Sequence, residues 1–212
     1  MARIDTVDKL TARIDRELSW RKMELINLRS LVDQNQSNKH IIRAAFPLIC
    51  AHYEGFLKKA AALYLQHISD LMIPLIDLKH AFAPMSLSAE FTECKDSKRG
   101  TVRARVIAGY NTALQTPLIV SNPSAFIDTE SNPKPDVLKE ILESLAIDST
   151  PFHTKFTFIN DSLLKNRHDI VHGEYCDIPY TEFQDVLSTT LDIIENIKNI
   201  LLDSAINAHY RK

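Results

Sequence analysis

Apolar residues recur at helical spacing in four stretches of the chain. Leu10, Ile14, Leu18, Leu25, Leu28 and Val32 fall at intervals of three, four and seven, the stripe of an amphipathic helix. They predict one long helix over 6–34, ended by the polar cluster Asn35-Gln36-Ser37-Asn38. A second helix is expected over 39–68, with Pro47 kinking it or marking its true start. A third spans 154–172 and carries Phe156, Ile159, Leu163 and Ile170 on one face. A last helix over 182–208 buries Phe183, Val186, Leu187, Leu191, Ile194, Ile197 and Leu201. Thr181 with Gln184 three residues later reads as a capping box at its start.

Between the second and third helices the pattern weakens. Pro74, Pro84, Pro117, Pro123, Pro133, Pro135 and Pro151 leave room for short helical pieces only. The clearest covers 136–146, with Val137, Ile141, Leu142 and Leu145 on one side. The segment 71–151 therefore reads as an elaboration within a single domain of residues 1–212, not as a second domain. The predicted fold is all-α: a bundle of about four long core helices with a partly helical insertion.

Composition agrees. Hydrophobic residues make up 45% and charged residues 25% of 212 positions, and glycine is scarce at 4, as in a water-soluble helical protein. The net charge of -2 excludes a general nucleic-acid coat, so contact with RNA requires a local patch. One basic run is available: Lys95, Lys98, Arg99, Arg103 and Arg105, opposed by Asp96. It reads as a solvated face or as a track for RNA phosphates. The three cysteines are an odd number at wide spacing, which fits free thiols in a reducing compartment and no zinc pattern. The charged start Met1-Ala2-Arg3-Ile4-Asp5 has no apolar core of a signal peptide, and no stretch is apolar enough to span a membrane. A cytoplasmic protein without membrane contact is expected.

In the second helix, Glu54 and Lys58 stand four apart in the favourable order for an ion pair. The alternative is that Glu54 points at a functional site. Gly55 beside it costs a helix about 1 kcal/mol relative to alanine. Close helix–helix approach is the simplest reason for it.

The densest chemistry is Asn166-Arg167-His168-Asp169-Ile170-Val171-His172-Gly173. On a helix, His168 and His172 share a ridge, Arg167 reaches the same surface, and Ile170 turns inward. Gly173 suits the left-handed residue that stops a helix. Histidine gives and takes protons near neutral pH, and arginine forks onto phosphate oxygens. This set suits transfer of an RNA phosphoryl group to its own 2′-hydroxyl, with no metal or cofactor. The products would be a 2′,3′-cyclic phosphate and a 5′-hydroxyl end. An arginine followed by histidine at this spacing arises roughly once by chance in such a chain. Arg167 is the one arginine here that shows it.

Arg167-His168-Asp169-Ile170-Val171-His172 resembles the signature of the HEPN superfamily: arginine, a polar residue, a short spacer, then histidine. Gly173 and the upstream Asp161-Ser162-Leu163 are similar to it as well. Trp20-Arg21-Lys22 and His52-Tyr53-Glu54-Gly55-Phe56-Leu57-Lys58 resemble the stand-alone bacterial group called MAE-type HEPN proteins. The resemblance implies an all-α domain that pairs as a homodimer across the motif helices. It also implies metal-independent ribonuclease activity in toxin–antitoxin or phage-defence settings, with a cognate antitoxin or defence-system protein as partner. Arg167 and His172 would be catalytic, and His168, standing where asparagine is commoner, would support them or add a second catalytic acid/base group. The residues themselves offer Glu54, Asp169 and Tyr175 as supports, and Lys98, Arg99, Arg103 and Arg105 to hold RNA. A C2 axis beside the ridge makes physical sense, because one copy offers few acid/base groups around a phosphate.

Two other readings stand beside this one. One is a non-catalytic HEPN protein that binds RNA or scaffolds a toxin–antitoxin or defence complex. The other is a metallohydrolase, because His168-Asp169-Ile170-Val171-His172 mimics His-Glu-x-x-His. Aspartate is a shorter base there, and no third ligand follows at useful spacing.

Overall fold

The first helix, α1 (Val7–Asp33), begins where Thr6 turns extended and its hydroxyl accepts the Lys9 amide. That bond satisfies one of the amides a helix start leaves open. The predicted stripe faces inward: Leu10, Ile14, Leu18, Leu25 and Val32 are buried. Asn38 then caps α2 (Lys39–Asp70), accepting from the amides of His40 and Ile41. This helix continues through Pro47, which leaves the Arg43 carbonyl without its usual intrahelical donor. It is buried around most of its girth, the mark of a central helix. In this computed structural model, residues 3–86, 88–131 and 133–212 are described. Met1 and Ala2, part of the N-terminal reading, lie outside them, as do Leu87 and Asn132.

The elaboration after α2 holds α3 (Ala83–Ser86), α4 (Ser88–Asp96), α5 (Gly100–Ala113) and α6 (Pro135–Ser144). α5 is longer than the proline spacing led one to expect. Leu75, Leu78, Phe82, Leu118 and Ile127 from this segment join the same buried cluster as the long helices. The Lys79 amide donates to the Tyr210 carbonyl at 2.9 Å, tying the segment to the C-terminus.

The expected third helix comes in pieces. A 3-10 stretch (Thr150–Lys155) leads into α7 (Phe156–Phe158), a π-helical turn (Ile159–Leu164) and α8 (Lys165–Val171). The wider turn inserts one residue into the helical register. Ile159, Leu163 and Leu164 are all buried there, and the Lys165 amide reaches back to the Asn160 carbonyl. The last helix, α9 (Tyr180–Ile206), packs on α1 and α2. It has no capping box. Pro179 at φ -62° supplies its entry and Thr181 already lies inside it, while Gln184 Nε2 donates to the Tyr180 hydroxyl. Among the described residues the fold is all-α, without a strand, and no helix is long and apolar enough to cross a membrane.

Gly55 does not mark the close helix–helix approach expected of it. A Cβ there would meet the Arg21 side chain at 3.4 Å, an ordinary contact. Arg21 is buried, donates to the Glu17 carbonyl and carboxylate at 2.7 Å each, and stacks on Trp20 at 4.3 Å. Gly55→Ala is therefore expected to hold or raise stability, by up to about 1 kcal/mol. A urea titration reads this, and a clear loss would show that Arg21 cannot tolerate the methyl group.

Next to Arg21, His52 is 4% exposed, with Nε2 3.3 Å from Glu24 Oε2 but without a well-aligned hydrogen bond. Burial holds its imidazole below the ordinary 6.5; Glu24 pulls it up and Arg21 pushes it further down. As pH falls through 6.5 the unfolded chain takes this proton before the folded one, so stability drops. The melting temperature should be level above that pH and decline below it, and His52→Gln should flatten the decline. An unchanged slope in that variant would assign the dependence to other groups.

Candidate active site

α8 ends in a complete glycine stop. His172 is its C-cap, and Gly173 takes φ +79°. The Gly173 amide donates to the Ile170 carbonyl at 3.2 Å and the Glu174 amide to the Asp169 carbonyl at 2.8 Å. These bonds satisfy two carbonyls that a helix end leaves open. They also fix the backbone that carries His172.

His168 and His172 are exposed, and their rings lie 4.3 Å apart between centroids, tilted by 50°. The shared ridge is as predicted. Ile170 is only half-buried, against the edge of the core. Arg167 is half-buried beside them, and no hydrogen bond or ion pair within the chain engages its guanidinium among the described residues. Its charge is felt at the Cys50 thiol beneath. Burial pushes that thiol up to about 12, Arg167 draws it down, and Glu54 adds to the rise. Cys50 donates to the Leu163 carbonyl at 3.4 Å, so α2 and the π turn meet under the site. Such a thiol is a packed, unreactive group.

Glu54 is thus on the site's side of α2. It does not form the expected pair with Lys58; it accepts from the Thr129 hydroxyl at 2.8 Å. That bond engages one carboxylate oxygen. Asp169 is half-buried and contributes its carbonyl to the glycine stop. Tyr175 is 82% exposed, two residues beyond Gly173.

The basic run lies elsewhere. Lys98, Arg99, Arg103 and Arg105 are exposed on and before α5, and Arg105 pairs with Glu93 at 2.8 Å. α5 leads back through Leu114 and Thr116 to Leu75 and Ile76, just past the far end of α2.

Other contacts hold the site that sequence reasoning did not find. Arg43 Nη2 donates to the Glu174 carbonyl at 2.9 Å, and Lys39 pairs with Asp177 at 2.9 Å. Asn166 Nδ2 donates to Glu182 Oε1 at 2.7 Å, and the Tyr180 hydroxyl to Asp33 at 2.6 Å. Asn166 was the only one of these with a signal, through its place directly before Arg167. The other pairs are distant in sequence and leave no local pattern.

Among the described residues, no group of three or more His, Cys, Asp or Glu side chains is placed to hold a metal ion. All three cysteines are free, with Cys50 buried. Comparisons with curated proteins and with solved structures find no match. A family model described as RiboL-PSP-HEPN matches residues 16–203, from the middle of α1 almost to the end of α9. The match carries the superfamily resemblance but not its stand-alone bacterial branch. With an all-α fold and the arginine–histidine ridge inside the matched range, the chain belongs to the RiboL-PSP-HEPN family, a HEPN family.

Proposed function

We propose that this protein is a metal-independent endoribonuclease acting as a toxin or phage-defence effector, with a composite site formed by two copies of the chain. The observation that carries the reading is Arg167: a half-buried guanidinium without an acidic partner among the described residues, beside two exposed imidazoles at a pinned helix end. A cation left unpaired at a surface is ready for an anion, and arginine matches phosphate geometry. His172 takes the proton from the ribose 2′-hydroxyl. The 2′-oxygen bonds to phosphorus as the P–O5′ bond breaks, and Arg167 holds the charge on the non-bridging oxygens. A second imidazole gives its proton to the leaving 5′-oxygen. His168 or the same ridge of a second copy supplies that group, and the homodimer doubles the set. RNA is the substrate, and a cognate antitoxin or defence-system protein is the expected regulator.

The test is incubation of the purified protein, EDTA-treated, with single-stranded RNA and with DNA of the same sequence. RNA should be cut to 2′,3′-cyclic phosphate and 5′-hydroxyl ends, and DNA should stay whole. Cleavage abolished by EDTA, or leaving 5′-phosphate ends, would sink the mechanism. Binding without cleavage at any concentration would instead assign the non-catalytic role of an RNA-binding or scaffold protein. Specific activity should fall on dilution below the dimer's dissociation constant, as read by light scattering.

A further inference from the structure

Beside the motif, where α2 begins, an open groove of about 680 Å³ runs between the first turns of that helix and the loop after Gly173. Lys39, His40 and Arg43 line one side, and Tyr175 and Asp177 the other. Among the described residues Asp177 is the only carboxylate in the lining, and Lys39 already neutralises it at 2.9 Å. The helix amides are not the attraction, because Asn38 accepts those of His40 and Ile41. What the groove offers is side-chain cations and one aromatic ring.

That ring is the unusual feature. Among the described residues, Tyr175 is the most exposed of the large hydrophobic side chains, at 82%. Its neighbours along the chain are nevertheless engaged on both sides: Arg43 grips the Glu174 carbonyl and Lys39 the Asp177 carboxylate. No other ring of the chain packs on it among the described residues. An open aromatic face next to cations is how single-stranded nucleic acid is held without base-specific bonds. It lies three positions after His172, so the two Cα atoms are at most about 11 Å apart and a strand seated there passes beside the ridge.

We infer that this groove seats the single-stranded RNA flanking the scissile phosphate, with a base stacked on Tyr175 and phosphates met by Lys39, His40 and Arg43. The inference rests on the ribonuclease reading for its place beside the scissile bond, but it is measured by binding, which needs no turnover. A duplex hides its base faces and should gain nothing from Tyr175.

The experiment uses fluorescence anisotropy of a labelled single-stranded oligonucleotide and of the same strand in duplex RNA. The protein is the full chain carrying His172→Ala, so that the probe stays intact. Adding Tyr175→Ala should weaken single-strand binding roughly 5- to 100-fold, while Tyr175→Phe should stay within about twofold because the stacking face remains. Duplex affinity should not change. In the active protein, Tyr175→Ala should raise KM for an oligonucleotide. Equal binding by Tyr175→Ala, equal losses in Tyr175→Phe and Tyr175→Ala, or no RNA binding at all would each overturn the inference. If the wild type cuts RNA while Tyr175→Ala binds normally, the groove fails and the ribonuclease stands. If the wild type cuts nothing while Tyr175→Ala loses binding, the reverse holds.

Discussion

His172→Ala is expected to lower RNA cleavage by about 10²- to 10⁴-fold, the usual contribution of one proton-transfer group. His172 is exposed at the C-cap of α8, so its removal should hardly change the thermal midpoint. Arg167→Ala should cost about 10²- to 10³-fold through lost charge stabilisation. Arg167→Lys should recover part of that, since an ammonium keeps the charge and loses the fork. His168→Asn separates the two roles open to His168. If it supports from beside the reaction, asparagine in its place should retain activity within tenfold, and if it is the acid, the loss should match His172→Ala. Single-turnover cleavage of a labelled RNA, with circular dichroism confirming the fold, reads all four variants. Full activity in both His172→Ala and Arg167→Ala would remove the ridge from the mechanism.

The long helices were legible because their burial is periodic. The α1 residues Leu10, Ile14, Leu18, Leu25 and Val32 are the ones the core takes in, and a period of 3.6 shows in sequence whatever the partner helix is. His168 and His172 were legible as a pair for the same reason, since an i, i+4 relation is local. Gly173 was legible because a positive φ at a helix end selects glycine. The pairings of Glu54 and Gly55 were misread because their partners, Thr129 and Arg21, lie far along the chain. A favourable Glu–Lys spacing is worth only about 0.2–0.5 kcal/mol, which a well-placed hydroxyl can outbid. The groove at Tyr175 left no trace in sequence, since it joins residues 37–43 to 175–177 through two carbonyl and carboxylate contacts.

The π turn was also out of reach, and it sets up the second large effect. Leu163→Ala is expected to destabilise the fold by about 2–5 kcal/mol, because the side chain is 0% exposed and its loss leaves a cavity. In a chain of this size that is a fall in melting temperature of about 5–15 °C. The carbonyl of Leu163 accepts from the Cys50 thiol, and Leu164 beside it is buried too. Together they clamp the wide turn onto α2, one turn before Arg167. An α-helical relaxation of that turn would rotate α8 by one residue, about 100°, and swing Arg167 away from its place above Cys50. Leu163→Ala should therefore lose cleavage even where it is fully folded, by as much as 10²-fold for a displacement near 1 Å. Leu10→Ala is the control: equally buried, on the first turns of α1, just after Ile4, whose backbone bonds to His67 and Asp70 at the opposite end of α2. At a temperature where both variants are native by circular dichroism, Leu10→Ala should keep its turnover and Leu163→Ala should not. Equal turnover in the two would mean that the π turn holds the fold together without setting the register of the site.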